Sequence, residues 1–102
     1  MEMIASVTYR HLAQGGDSTE ILIEIGRPFP DPQGDWSCSV TLPPAAGGAR
    51  LVHGIDALQV LCLAVDLVRR ELEPYRGTLH WPGVEDPIPL DAYRIGSGFL
   101  PP

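Results

Sequence analysis

One stretch of this chain reads as a helix, and everything around it reads as strand or turn. From Asp56 to Tyr75, Leu58, Leu61, Val65, Val68 and Leu72 recur at three- and four-residue spacing, which lines one face of an α-helix. Asp56 stands where an N-cap belongs and Gln59 completes a capping-box order, so the first backbone donors have acceptors. Pro74, followed by Gly77, ends the segment. At about 1.5 Å per residue such a helix spans a sheet of about five strands. Its apolar stripe needs a surface to cover, and the rest of the chain offers only short β-type segments.

Those segments have a period of two. Met3 to Leu12 alternates in part, with Ala5, Val7 and Tyr9 against Ser6, Thr8 and Arg10. Thr19 to Gly26 places Ile21, Ile23 and Ile25 on one side and Glu20 and Glu24 on the other, with Leu22 the exception. Trp36, Cys38, Val40 and Leu42 alternate without a fault against Asp35, Ser37, Ser39 and Thr41, the pattern of a half-buried strand. Ala49 to Gly54 reads as a short strand, and Thr78 to Gly83 as a last one with Leu79 and Trp81 inward and His80 toward solvent. The order β-β-β-β-α-β predicts an α+β fold of two layers, one long helix on a mainly antiparallel sheet of four to five strands. Residues 1–83 are expected to form one domain, and 84–102 a proline- and glycine-rich, surface-lying tail that packs on it or extends from it.

Composition narrows the function. With 44% hydrophobic and 20% charged residues the chain is expected to fold, and 102 residues suffice for one core. A net charge of −6 repels phosphate backbones and argues against nucleic-acid binding, while leaving room for a basic protein partner. The start "MEMIASVTYR" has an early Glu and no long apolar run, and no segment approaches the roughly 20 apolar residues of a membrane span. A cytoplasmic protein is the expectation. Cys38 and Cys62 sit inside apolar patterns and read as small buried hydrophobes rather than a disulfide framework.

The most conspicuous local feature is "IGRPFPDPQGDW", Ile25 to Trp36, with three prolines, two aspartates and two glycines. Asp31-Pro32-Gln33-Gly34 has the residue order of a type I turn, in which Asp bonds the backbone and Pro presets φ. A calcium loop is excluded, because Gly34 precedes Asp35 and position 42 is Leu rather than Glu. His11, His53 and His80 have no ligand spacing with each other or with the cysteines, so no metal and no cofactor are expected. Ser97 lacks the G-x-S-x-G context, and the glycine pairs are not phosphate loops. No catalytic residue is assigned, and the chain is read as a non-enzyme.

A second apolar line runs along the helix through Val60, Leu63, Ala64 and Leu67. Two readings stand: the tail or a loop covers it, or it meets a partner or a second copy. Arg27, wedged between Gly26 and Pro28, is expected to pair with Asp35 across the loop mouth, with Trp36 packed beneath the Asp56 end of the helix.

Two segments together carry a resemblance: Ile25-Gly26-Arg27-Pro28 through Gly34-Asp35-Trp36, and Gly54-Ile55-Asp56 followed by Gln59 and Leu61. They resemble an uncharacterised family of small bacterial proteins, a domain of unknown function, in which I-G-x-P leads to G-D-W and G-[IV]-D-x-x-Q-x-L starts a helix. The resemblance covers Ile21 to about Trp81 and implies no activity.

The reading that follows is a small non-catalytic binding protein with an unidentified protein partner, in the manner of an immunity protein masking a basic partner. Its candidate contacts are Glu20, Glu24, Arg27, Val60, Leu63 and Leu67, with Asp17, Asp66 and Glu73 adding acidity. The alternatives are a homodimer joined by the second helix line or an open strand edge, and a small-molecule site near His53, Asp56 and Trp81.

Overall fold

The computed structural model describes residues 2–93. The strands are β1 (Met3–Leu12), β2 (Ser18–Gly26), β3 (Phe29–Pro30), β4 (Trp36–Thr41), β5 (Ala49–Gly54) and β6 (Leu79–His80). Helix α1 (Ala57–Leu72) lies between β5 and β6. Every pairing is antiparallel. The α+β arrangement is the expected one. Its six strands exceed the predicted four to five because Phe29–Pro30, inside the proline-rich loop, pairs with Ser37 and Trp36.

Strand β4 is paired along its full length by β5 on one side, and by β2 and then β3 on the other. Read across, the sheet runs β5, β4, β2 continued by β3, β1, β6. Consecutive hairpins therefore build the sheet outward to β5, and α1 carries the chain back across one face to the opposite edge, where β6 joins β1. Ile21, Ile23, Ile25, Cys38, Val40 and Leu42 are all buried, so the alternation read from β2 and β4 is the one that builds the core. Leu22, the residue out of pattern, is 44% exposed on the other side of β2.

The helix begins as its cap predicts. Asp56 accepts a hydrogen bond from the Gln59 amide at 2.7 Å, and the Gln59 side chain accepts one from the Ile55 amide at 2.6 Å. Its rotation about its own axis differs from the expected one. Val60, Ala64, Leu67, Val68 and Leu72 are buried, whereas Leu58 is 71% exposed and Leu61 and Val65 are only partly covered. The second apolar line thus supplies most of the buried face. Both lines are apolar, so periodicity alone could not rank them; the tertiary contact at Gly54 does. A Cβ on Gly54 would lie 3.2 Å from the Val60 Cβ, tighter than ordinary contact, so a side chain there would push Val60 back from the end of β5.

Three further expectations change. His80 is buried at 6% exposure instead of facing solvent. Arg27 pairs with Glu2 at 3.2 Å rather than with Asp35, because the start of β1 runs beside it and the Arg27 amide donates to the Glu2 carbonyl. Trp36 is half-buried against the core, directly across from Gly54. The segment after residue 83 is not wholly a surface feature: Ile88 and Leu90 are 4% and 1% exposed, and the Ile88 amide bonds the Leu79 carbonyl. A short 3-10 turn, Leu90–Tyr93, then packs against α1. The rest of the predicted tail, with Ser97, lies outside the described residues.

Leu90 is a core residue contributed from a stretch that reads as loop. Leu90→Ala is expected to lower unfolding stability by about 2–5 kcal/mol, as for other buried Leu truncations, measured by urea denaturation. A loss below about 1 kcal/mol, the scale of an ordinary surface change, would show that the segment is not part of the core.

Candidate functional site

The predicted site residues do not converge. His53 is on β5 and Trp81 follows β6, so they stand at opposite edges of the sheet, about four strand spacings or roughly 19 Å apart. Asp56 is committed to capping α1. The proposed pocket of these residues is therefore absent. The proposed interaction residues divide as well. Val60 and Leu67 are 0% and 8% exposed and face the core, so neither can meet a partner in this fold. Leu63 is 40% exposed on α1, while Glu20 and Glu24 lie on the face of β2 turned away from the helix. Asp66 pairs with Arg69 and Arg70, and Glu73 with Arg76, whose guanidinium holds the Glu73 carboxyl below its usual range. No single acidic patch joins these residues.

What the fold does bring together, on the face away from α1, is Asp31, Ser37 and His53. Ser37 and His53 are directly opposed in the β4–β5 ladder. The Asp31 turn folds over them and leaves Ser37 0% exposed. One Asp31 carboxylate oxygen accepts from the Gln33 and Asp35 amides at 2.9 and 3.1 Å. The other accepts from the Ser37 hydroxyl at 3.3 Å. With its proton so placed, the Ser37 oxygen accepts from His53 Nδ1, 3.0 Å away. The three residue types are those of a hydrolase triad, but their order is wrong. Ser37 rather than His53 stands in the middle, and a buried hydroxyl cannot attack a substrate. The network locks a turn, and Asp31 satisfies three donors with one carboxylate, as the type I reading of this loop anticipates.

The concave apolar feature of the fold lies on the other face. Between α1 and β1 is a groove of about 250 Å³, walled by Ala5, Val7 and Tyr9 of β1, Val65 and Val68 of α1, and Tyr93. The Tyr9 hydroxyl bonds the Tyr93 hydroxyl at 3.2 Å and forms the groove's polar end. Burial first, and the Tyr93 phenol second, push the Tyr9 phenol well above its ordinary value. A shallower hollow of about 600 Å³ lies beside the proline loop, between Trp36 and the Glu2–Arg27 pair.

The groove has an open side. Strand β6 pairs with β1 only at Arg10 and His11, and the Leu12 amide bonds the Thr78 carbonyl. In an antiparallel ladder the bonded residues alternate, so Thr8 and Ser6 point their N–H and C=O groups the same way, out of the sheet. Among the described residues those groups have no partner. A bulge between Met3 and Ala5 ends the regular edge. The sequence shows a ten-residue first strand and a shorter last one read from Thr78 to Gly83, but neither that β6 shrinks to two residues nor which strands are neighbours.

A family described as a domain of unknown function, DUF6968, matches residues 8–90. The chain belongs to this family. The match reaches further at both ends than the Ile21–Trp81 resemblance, taking in the paired end of β1 and the core residues Ile88 and Leu90. No curated protein and no solved structure matches the chain.

The Tyr9 shift has a pH consequence. A phenol whose folded pKa exceeds its unfolded value of about 10 contributes stability that is complete below that pH and is lost as pH rises through the folded value. Phenolate absorbance during an alkaline titration should show one tyrosine that ionises only on unfolding, and Tyr9→Phe should remove that step. A Tyr9→Phe protein that keeps the delayed step would place the protected phenol elsewhere.

Proposed function

We propose that this domain is a non-catalytic protein-binding module that accepts an extended segment of its partner along the free edge of β1. The observation that carries the reading is the coincidence of two features. Main-chain groups at Ser6 and Thr8 that have no partner among the described residues lie beside an apolar groove large enough for one or two side chains. An added strand bonds to the edge and, since alternate side chains point to one face, lays every second one into the groove. Main-chain bonds supply affinity in this mode, and the groove supplies selection. The edge residues Met3 to Tyr9 carry no charge, so the net charge of −6 does not act at the contact itself. Masking of a basic partner finds less support, because the acidic side chains are split between the two faces of the domain.

The test is site-specific photo-crosslinking in cells that make the protein. A photoreactive residue at Ser6 should give a discrete protein adduct, while one at Gln33, on the turn over the opposite face, should not. Equal labelling from both positions, or none from Ser6, would refute strand acceptance.

A further inference from the structure

We infer that the segment accepted by the β1 edge is β1 of a second copy of this chain, joining two sheets into one across a two-fold axis at Val7. The inference rests on the strand-accepting reading above and names its partner. Of the two surfaces open to self-association, the second helix line is spent on the core, with Val60 and Leu67 0% and 8% exposed. The strand edge is not. Natural sheets commonly guard a free edge with charge or proline. From Met3 to Tyr9 the chain has neither. An unguarded edge meets its own copies first, since every copy presents it.

The open stretch is symmetric about Val7. At one end Ile4 stands in the bulge between Met3 and Ala5, and at the other His80 of β6 pairs with Arg10. An antiparallel copy centred on Val7 sets Ser6 opposite Thr8 of the second copy. Both residues turn their N–H and C=O groups outward, so each Ser6–Thr8 pair exchanges both bonds and leaves neither residue with a free outward group. The same register brings Ile4 of the second copy to the Arg10 position, where β6 would stop a straight strand. Its bulge bends the chain away there.

Side chains fit the same axis. Opposed residues share a face, so Val7 meets Val7 on the helix side, and the Ser6 and Thr8 hydroxyls meet on the other. Along the helix side, coverage of β1 falls from buried Tyr9 through half-buried Val7 to exposed Ala5. The two-fold reverses that gradient and lays Tyr9 of the second copy beside the uncovered Ala5. The two grooves then meet, each walled by its own Val65. Charge does not oppose the contact. Glu24 lies across from Ser6 on β2, so the Glu24 carboxylates of the two copies stand three strand spacings apart, roughly 14 Å, beyond the screening length at physiological salt. The interface is isologous and closes on two copies.

Disulfide trapping reads the axis directly. In a Cys62→Ser background, Val7→Cys places two thiols in a non-hydrogen-bonded pair, whose Cα separation of about 4.5 Å lies in disulfide range. Mild oxidation should convert most of that protein to a covalent dimer linked through residue 7. Leu22→Cys, at a position 44% exposed on the face of β2 away from the helix, should stay unlinked. Sedimentation equilibrium of the unaltered protein should give twice the mass of one chain, and Ser6→Pro should halve it. That change spares the β1–β2 bonds, because the Ser6 N–H points outward. The trapping and the mass of the unaltered protein decide the matter if Ser6→Pro fails to fold. Equal trapping at both positions, a dimer that survives Ser6→Pro, or a monomer mass overturns the second copy. The photo-adduct from Ser6 then separates the two readings. An adduct with a different protein leaves strand acceptance standing; an adduct confined to residues 94–102 of the same chain, or no adduct, overturns both.

Discussion

The approach of the helix to the end of β5 is the contact on which the rest of this domain depends. At Gly54 a side chain would come within 3.0 Å of the Gln59 carboxamide oxygen and 3.2 Å of the Val60 backbone nitrogen. The missing Cβ permits the approach, and two bonds make it definite: Asp56 to the Gln59 amide, and Gln59 back to the Ile55 amide. Together they fix where α1 starts and which way it is turned. Val60 then enters the core, and Ala64, Leu67, Val68 and Leu72 follow at helical spacing. The Gly54-Ile55-Asp56 and Gln59 motif, which carries no chemistry of its own, is accounted for by this joint.

With the helix so turned, the chain is delivered to the far edge of the sheet. Arg50 on β5 ties to Glu71 near the C-terminal end of α1, and Arg76 ties Glu73 to Asp91 beyond β6. These ion pairs are solvent-facing and each contributes little alone; their place at both margins of the helix layer shows how far α1 overlies the sheet. Only two residues of β6 then pair with β1. The short last strand is what leaves Ser6 and Thr8 without a main-chain partner among the described residues and gives the groove its open side. The candidate site is thus a by-product of topology, created by a mismatch in length between the first and last strands.

The two halves of the proline-rich loop from Ile25 to Trp36 show how chemistry and architecture divide. Asp31 and Ser37 look like site residues in composition, and the fold does join them to His53. Yet the carboxylate is saturated by two amides and a hydroxyl, and the serine is covered. Arg27 holds the Glu2 carboxylate beside the shallow hollow. Local turn chemistry was readable because it depends on neighbours within a few positions. The partner of Arg27 was not, since Glu2 is 25 residues away and reaches it only through the pairing of β1 with β2.

The sequence alone determined every strand but β3, the helix, its cap and the α+β class, because these follow from periods of 2 and 3.6 and from residues adjacent in the chain. It also determined the inward face of β2 and β4, where one side is plainly apolar. Only the tertiary structure decided how the burial is shared between the two apolar helix lines, since the helix's rotation is set where it meets Gly54. It likewise decided that Leu90 and His80 are covered and that, among the described residues, β1 pairs with β6 only at its Arg10 end. Those outcomes depend on which strands are neighbours, and neighbourhood in a sheet is set by the path of the whole chain, beyond the reach of any local pattern.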